Sequence, residues 1–131
     1  MRALVVEDEF TNRVILHKFL ARYADVRMCT NGREAVETFV SSLAEGNPLS
    51  LICMDVMMPE MDGPAALKQI RTIEQEKGIP REQGVKVLMT TGLEESDKFL
   101  DDIRELYDGI LSKPVRLNTL LDAMAAINLS V

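Results

Sequence analysis

The sequence predicts an α/β fold, a parallel sheet covered by helices on both faces, and three observations carry that prediction. Short apolar runs recur along the chain, several of them halted by a carboxylate or another polar residue. Stretches with apolar residues at helical spacing alternate with those runs. The joints between them are short, which favours right-handed β-α-β crossovers and a doubly wound sheet.

Residues 3–6 are apolar throughout and stop at Glu7-Asp8-Glu9, the pattern of a strand buried on both faces. Ile15, Leu16, Phe19 and Leu20, with Arg13, Lys18 and Arg22 between them, predict an amphipathic helix over 11–23. A short strand follows at 26–29. Asn31 with Glu34 three residues on reads as a capping-box variant, and Ala35, Val36, Phe39, Val40 and Leu43 form the stripe of a second helix. Gly46-Asn47-Pro48 ends that helix. Residues 49–54 are apolar except Ser50 and terminate at Asp55, a third strand exiting into a carboxylate. Asp62-Gly63-Pro64 supplies a cap and a first-turn proline for a third helix with Leu67, Ile70 and Ile73 inward. Residues 76–84, rich in glycine and charge, read as the loop most tolerant of change. Residues 85–90 form a fourth strand. A fourth helix over 96–107 turns Phe99, Leu100, Ile103 and Leu106 inward, and 109–112 is a fifth strand. Leu117, Leu120, Leu121 and Met124 mark a fifth helix.

With 131 residues, 47% of them hydrophobic and 27% charged, the chain is expected to form one domain over 1–131 around a single core. A net charge of −6, a single histidine and no basic cluster exclude a surface that gathers nucleic-acid phosphates or anionic lipid. Two cysteines make no disulfide framework, and acidic residues cut the N-terminal apolar run too early for a signal peptide or membrane span. The expected setting is a reducing cytoplasm. Cys29 and Cys53 read as small core residues, His17 as a solvated helix residue, and the methionines as core filling.

In an open parallel sheet, ligands sit beyond the carboxyl ends of the strands. Those ends carry Glu7 and Asp8, Asp55, Thr90 and Thr91, and Ser112 and Lys113. If the first and third strands are neighbours, their carboxylates crowd together and raise one another's pKa unless a cation intervenes. Oxygen ligands without histidine or cysteine suit a hard ion that keeps some of its waters, most simply Mg²⁺. Asp55 can act as a nucleophile toward phosphorus, with the Lys113 ammonium and a hydroxyl of Thr90 or Thr91 placed for phosphoryl oxygens, one of the two threonines being free to face the core. A cis Lys113–Pro114 bond is inexpensive and would fix the lysine's aim.

Leu4-Val5-Val6-Glu7-Asp8-Glu9, Met54-Asp55-Val56-Met57-Met58-Pro59-Glu60-Met61-Asp62-Gly63, Val87-Leu88-Met89-Thr90-Thr91-Gly92 and Ser112-Lys113-Pro114 together resemble the successive motifs of bacterial response-regulator receiver domains. The resemblance spans nearly the whole chain and implies a CheY-like, flavodoxin-like fold of five strands in the order 2-1-3-4-5 with five helices. It implies that Glu7, Asp8, Asp55 and the Met57 carbonyl hold Mg²⁺, that Asp55 accepts the phosphoryl group, and that Thr91 and Lys113 contact its oxygens. It implies as partners a sensor histidine kinase or histidine phosphotransfer protein as donor and a downstream effector protein, within a two-component phosphorelay. The chain would then catalyse only its own phosphorylation and dephosphorylation.

Ile110 stands where such domains usually place an aromatic ring that turns inward when the threonine moves, and Val115 where they often have phenylalanine. Met57 and Leu93 are expected to flank the phosphoryl group, and neither can orient an attacking water, so slow self-dephosphorylation is expected. An alternative is a receiver-fold interaction module that works without phosphorylation, which Ile110 keeps open. A Mg²⁺-dependent phosphatase would need a second aspartate where Met57 stands. Nucleotide or flavin binding lacks a G-x-G-x-x-G after the first strand.

Overall fold

In a computed structural model, the chain runs β1 (Arg2–Val6), α1 (Phe10–Leu20), β2 (Asp25–Cys29), α2 (Gly32–Ala44), β3 (Leu51–Asp55), α3 (Gly63–Glu76), β4 (Lys86–Thr91), α4 (Asp97–Asp102), β5 (Gly109–Ser112) and α5 (Leu117–Ala126). The structure describes residues 1–92 and 97–129, the side chains at 97–99 excepted. All strand pairs are parallel, and the five strands lie in the expected order β2-β1-β3-β4-β5.

Because successive strand residues point to opposite faces, each central strand feeds two cores. Leu4, Val6, Ile52, Met54, Val87 and Met89 pack with Phe39 of α2 and Leu67 and Ile70 of α3. Ala3, Val5, Leu51, Cys53, Leu88 and Leu111 pack on the other face with Leu16 and Leu20 of α1 and Leu120 and Met124 of α5. Cys29 and Cys53 are unbridged and buried, and burial pushes both thiols up to about 12. They are inert core residues at neutral pH.

Helix starts follow their caps. Asn31 Oδ1 accepts from Glu34 N at 2.9 Å, and Asp62 Oδ1 from Ala65 N at 2.8 Å, with Pro64 in the first turn of α3. The capping box at α2 is displaced by one residue: Glu34 Oε1 accepts from Thr30 N and Thr30 Oγ1 rather than from the cap's own amide. At α1 the cap is Glu9, which accepts from Asn12 N at 2.6 Å, so the helix begins at Phe10. It ends at Leu20 instead of reaching residue 23, because the chain turns there through Tyr23 N to Leu20 O at 2.9 Å.

Two expectations need correction, and one feature accounts for both. The fourth helix ends at Asp102 rather than near 107, and residues 103–106 continue only as turns. The Phe99 side chain lies outside the described residues; Leu100 and Ile103 are buried as expected. Beyond the helix, Asp108 N donates to Val87 O at 2.8 Å and its Oδ2 accepts from Val87 N at 2.8 Å. The Leu106 carbonyl is taken by Arg71 Nε at 2.9 Å and Arg81 at 3.0 Å. These bonds draw the chain onto β4 before another helical turn can form.

The same group holds the supposedly tolerant segment 76–84. Arg71 pairs with Glu74 at 2.8 Å and with Asp108 at 3.2 Å, its side chain only 7% exposed, and also donates to Val85 O. Glu74 Oε2 accepts from Val85 N at 2.7 Å. A short 3-10 turn at Arg81–Gln83 leads into Gly84, where a Cβ would meet the Glu74 carboxylate at 2.5 Å. The segment is therefore constrained at its end, by a buried ion cluster that periodicity does not reveal.

Removing one member of a buried, hydrogen-bonded pair strands its partners without water. Arg71→Leu is expected to lower the unfolding free energy by about 3–5 kcal/mol in a urea titration. Arg33→Leu, at the exposed Arg33–Glu60 pair, is expected to change it by no more than about 0.5 kcal/mol.

Candidate functional site

Register assembles the site. Val5 pairs with Cys53, so Glu7 and Asp55, two residues further along each strand, leave the same edge on the same face. Glu7 N extends the ladder to Cys29 O at 3.1 Å, which carries its side chain inward; Glu7 is fully buried and Asp55 is 6% exposed. Lys113, just past β5, places Nζ 2.8 Å from Glu7 Oε1 and 3.0 Å from Asp55 Oδ2. The Glu7 Oε1 contact is an ion pair rather than a directed hydrogen bond. The Lys113–Pro114 peptide bond is cis.

The three acidic residues after β1 divide their work. Glu9 caps α1, and that backbone bond holds its carboxyl below the ordinary value. Glu7 and Asp8 turn toward Asp55, and one carboxylate oxygen from each of the three lies within 4.8 Å of the others. Burial raises the pKa of Glu7, Asp55 raises it further, and Lys113 offsets part of the rise. Asp8 is raised by burial and then by Glu7. Burial alone would lower Lys113, yet its carboxylate partners prevail and hold its pKa above the ordinary value. Three carboxylates against one ammonium leave the fully ionised site short of two positive charges. An all-oxygen donor set with that deficit fits a hard divalent cation.

The loop after Asp55 is shaped by close backbone approaches. Val56 N donates to Thr90 O at 3.1 Å, and Gly63 N to Val56 O at 2.9 Å; a Cβ at Gly63 would run into the Asp55 carbonyl. Gly32 N donates to Met61 O at 2.9 Å, and a Cβ there would stand 2.5 Å from that same carbonyl. Glu60 takes a left-handed conformation, φ 64°, between these anchors. Met57 follows Asp55 in this loop and is 51% exposed. Gly32 did not stand out in the sequence, although the Asn31-Gly32 dipeptide is a turn signal that pointed to it.

The two threonines part company. Thr91 Oγ1 donates to Gly92 O at 2.9 Å, and the Thr91 carbonyl accepts from Lys113 N at 2.8 Å. Thr90 is the residue in register with Asp55, 1% exposed, and its hydroxyl has no hydrogen-bond partner among the described residues. Ile110 is 42% exposed on β5 and Val115 is half-buried. Leu93 lies outside the described residues.

Comparison with known proteins places this arrangement. The response regulator receiver domain family matches residues 3–125. The autoinducer 1 sensor kinase/phosphatase LuxN of Vibrio campbellii is 32% identical over 118 residues, which is 89% of this chain and 12% of LuxN. The chain therefore spans about an eighth of that relative's length. The receiver domain of the histidine kinase CKI1 from Arabidopsis thaliana, crystallised with Mg²⁺ and BeF₃⁻, superposes with a TM-score of 0.80 at 27% identity, covering 97% of this chain and 89% of that one. The co-crystal of the Saccharomyces cerevisiae phosphotransfer protein Ypd1 with the receiver domain of its downstream response regulator Ssk1 matches at TM-score 0.74 and 29% identity, covering 92% and 83%.

A cation that binds only the folded site raises the melting temperature. Titration with Mg²⁺ is expected to stabilise the chain in proportion to the logarithm of its concentration above Kd, by about 2.7 kcal/mol at a hundredfold excess. Because Glu7 and Asp8 hold their protons to higher pH than ordinary carboxyls, the apparent affinity falls as pH is lowered into that raised range. Calorimetric titrations at several pH values measure that slope.

Proposed function

Since the chain belongs to the response-regulator receiver domain family, we propose that it is the phosphoacceptor of a two-component phosphorelay, with Asp55 as the residue phosphorylated. The observation that carries this reading is the Asp55 carboxylate held 3.0 Å from Lys113 Nζ inside a cluster of three acidic groups. The Mg²⁺-bound CKI1 receiver and the Ypd1–Ssk1 complex support it.

An Asp55 oxygen attacks phosphorus of a phosphohistidine on a sensor kinase or phosphotransfer protein. The new P–O bond forms as the P–N bond breaks, and its electron pair leaves with the imidazole, which takes up a proton. Lys113 meets the negative charge on the phosphoryl oxygens, and Thr91, at the end of β4, supplies a hydroxyl to them. Mg²⁺, held by Glu7, Asp8, Asp55 and the Met57 carbonyl, would when bound neutralise the excess carboxylate charge and polarise the phosphoryl group. The glycines at 32 and 63 keep the Met57 loop against the site. The chain catalyses its own loading and hydrolysis, acts in a reducing cytoplasm as a single receiver unit, and signals to an effector protein through a changed surface.

A second reading, an interaction module indifferent to phosphate, is favoured by Ile110, an exposed aliphatic side chain where an aromatic was expected. Incubation with acetyl phosphate and Mg²⁺ separates the two by intact mass. A gain of about 80 Da, one phosphoryl group, is expected for the wild type and not for Asp55→Asn; no gain in either supports the module.

Met57 cannot orient a water. Met57→Asn is expected to shorten the phosphoprotein half-life by about tenfold, a barrier change of ~1.4 kcal/mol. Phosphate release from the purified phosphoprotein measures it, and an unchanged half-life excludes a role for residue 57 in hydrolysis.

A further inference from the structure

Thr90 carries a hydroxyl that the resting site does not use. It is 1% exposed, lies opposite Asp55 in the β3–β4 ladder, and has no hydrogen-bond partner among the described residues. A buried hydroxyl without a partner is disfavoured, and valine would fill the same volume on a strand without that cost. The register shows which face it occupies. Thr90 follows Leu88 by two and pairs with Leu111, both in the core under α1 and α5; Lys113 follows Leu111 by two, and Asp55 follows Cys53 by two. Glu7, Asp55, Thr90 and Lys113 therefore share one face of the sheet, whereas Thr91 belongs to the other.

Along that face Glu7 and Thr90 stand on opposite sides of Asp55, on β1 and β4. Lys113 reaches from β5 across β4 to both carboxylates, which engage it at 2.8 and 3.0 Å. An ammonium has three donors, and these two contacts do not use them all. Once Asp55 is esterified, its own carboxylate charge is replaced by that of the phosphoryl group further out, and Glu7 on the β1 side competes with the phosphoryl oxygens for the ammonium. The hydroxyl on β4 is an acceptor on the opposing side.

We propose that Thr90 is a positioning residue for Lys113: its hydroxyl is latent while Asp55 is ionised and accepts from the ammonium once that charge is lost, holding the lysine over the acceptor. The kinetic part of this inference rests on the phosphoacceptor reading; the structural part does not.

A mutant cycle tests it in the intact chain. Thr90→Val and Thr90→Ser are each made in the wild type and in Asp55→Asn, and urea midpoints are measured. Thr90→Val is expected to raise the midpoint in the wild type, where it removes an unpartnered hydroxyl, and to lower it in Asp55→Asn, where the hydroxyl is engaged. Thr90→Ser, which keeps the hydroxyl, is expected to shift both backgrounds equally. Shifts of the same sign for Thr90→Val in both backgrounds would overturn the proposal. In the kinetic arm, with acetyl phosphate and Mg²⁺, Thr90→Val is expected to gain phosphoryl mass about tenfold more slowly than wild type while Thr90→Ser recovers most of the rate. Equal rates for wild type and Thr90→Val, or a Thr90→Ser as slow as Thr90→Val, also overturn it. A wild type that gains no mass refutes the phosphoacceptor reading instead, and the stability cycle still decides the role of Thr90.

Discussion

The Lys113 ammonium, shared between Glu7 and Asp55 at 2.8 and 3.0 Å, is the interaction on which the chemistry of this chain depends. Without it, two carboxylates buried at one sheet edge would repel each other in a medium that screens poorly. With it, they remain close yet short of positive charge, because Asp8 adds a third carboxylate that the lysine cannot also balance. That shortfall suits the site to a cation and, under the proposed function, to a phosphoryl group whose oxygens need several positive partners. The lysine serves both states, so its aim matters as much as its charge.

Such a site is unfavourable to fold around, and the opposite edge of the sheet supplies the contrast. There, Arg71, Glu74, Asp108 and Arg81 form a buried cluster in which opposite charges are paired and tied to the carbonyls of Val85 and Leu106 and the amides of Val85 and Val87. It anchors α3 to the start of β4 and to the turn before β5. Imbalance is confined to the carboxyl edge, where ligands are met, and balance to the amino edge, where the strands are fastened.

The sheet was legible because its central strands are short apolar runs and because their ends fall on polar residues; β2, with Asp25 and Arg27, is the exception at the edge. Glu7, Asp8, Asp55 and Lys113 could be placed on one edge before any coordinates, since period and connection length leave few other topologies. What pattern could not show was pairing among polar residues distant in sequence. The stripe of Leu67, Ile70 and Ile73 says nothing of Arg71 and Glu74, and only the approach of Asp108 and Val85 makes them interior. The length of α4 failed for the same reason, since the bonds that end it come from Arg71, Arg81 and Val87. Glu9 stands beside the two acidic residues of the cluster, and its backbone bond to Asn12 gives it to the helix instead.

Two consecutive threonines on one strand give the site a way through the sheet. Pleating sends Thr90 to the face of Asp55 and Lys113, and Thr91 to the face of Met89 and Ile110, which are paired in the ladder. The two faces are joined where Lys113 N donates to the Thr91 carbonyl at 2.8 Å. A shift of Lys113 is therefore felt at Thr91 through the main chain, independently of any hydroxyl contact. That route suits this sequence: isoleucine is stiff at χ1 and cannot swing in and out as a ring does. With Ile110 in the aromatic position, the proposed function would carry information about Asp55 to the outer surface by displacement of the β4–β5 backbone rather than by rotation of a side chain.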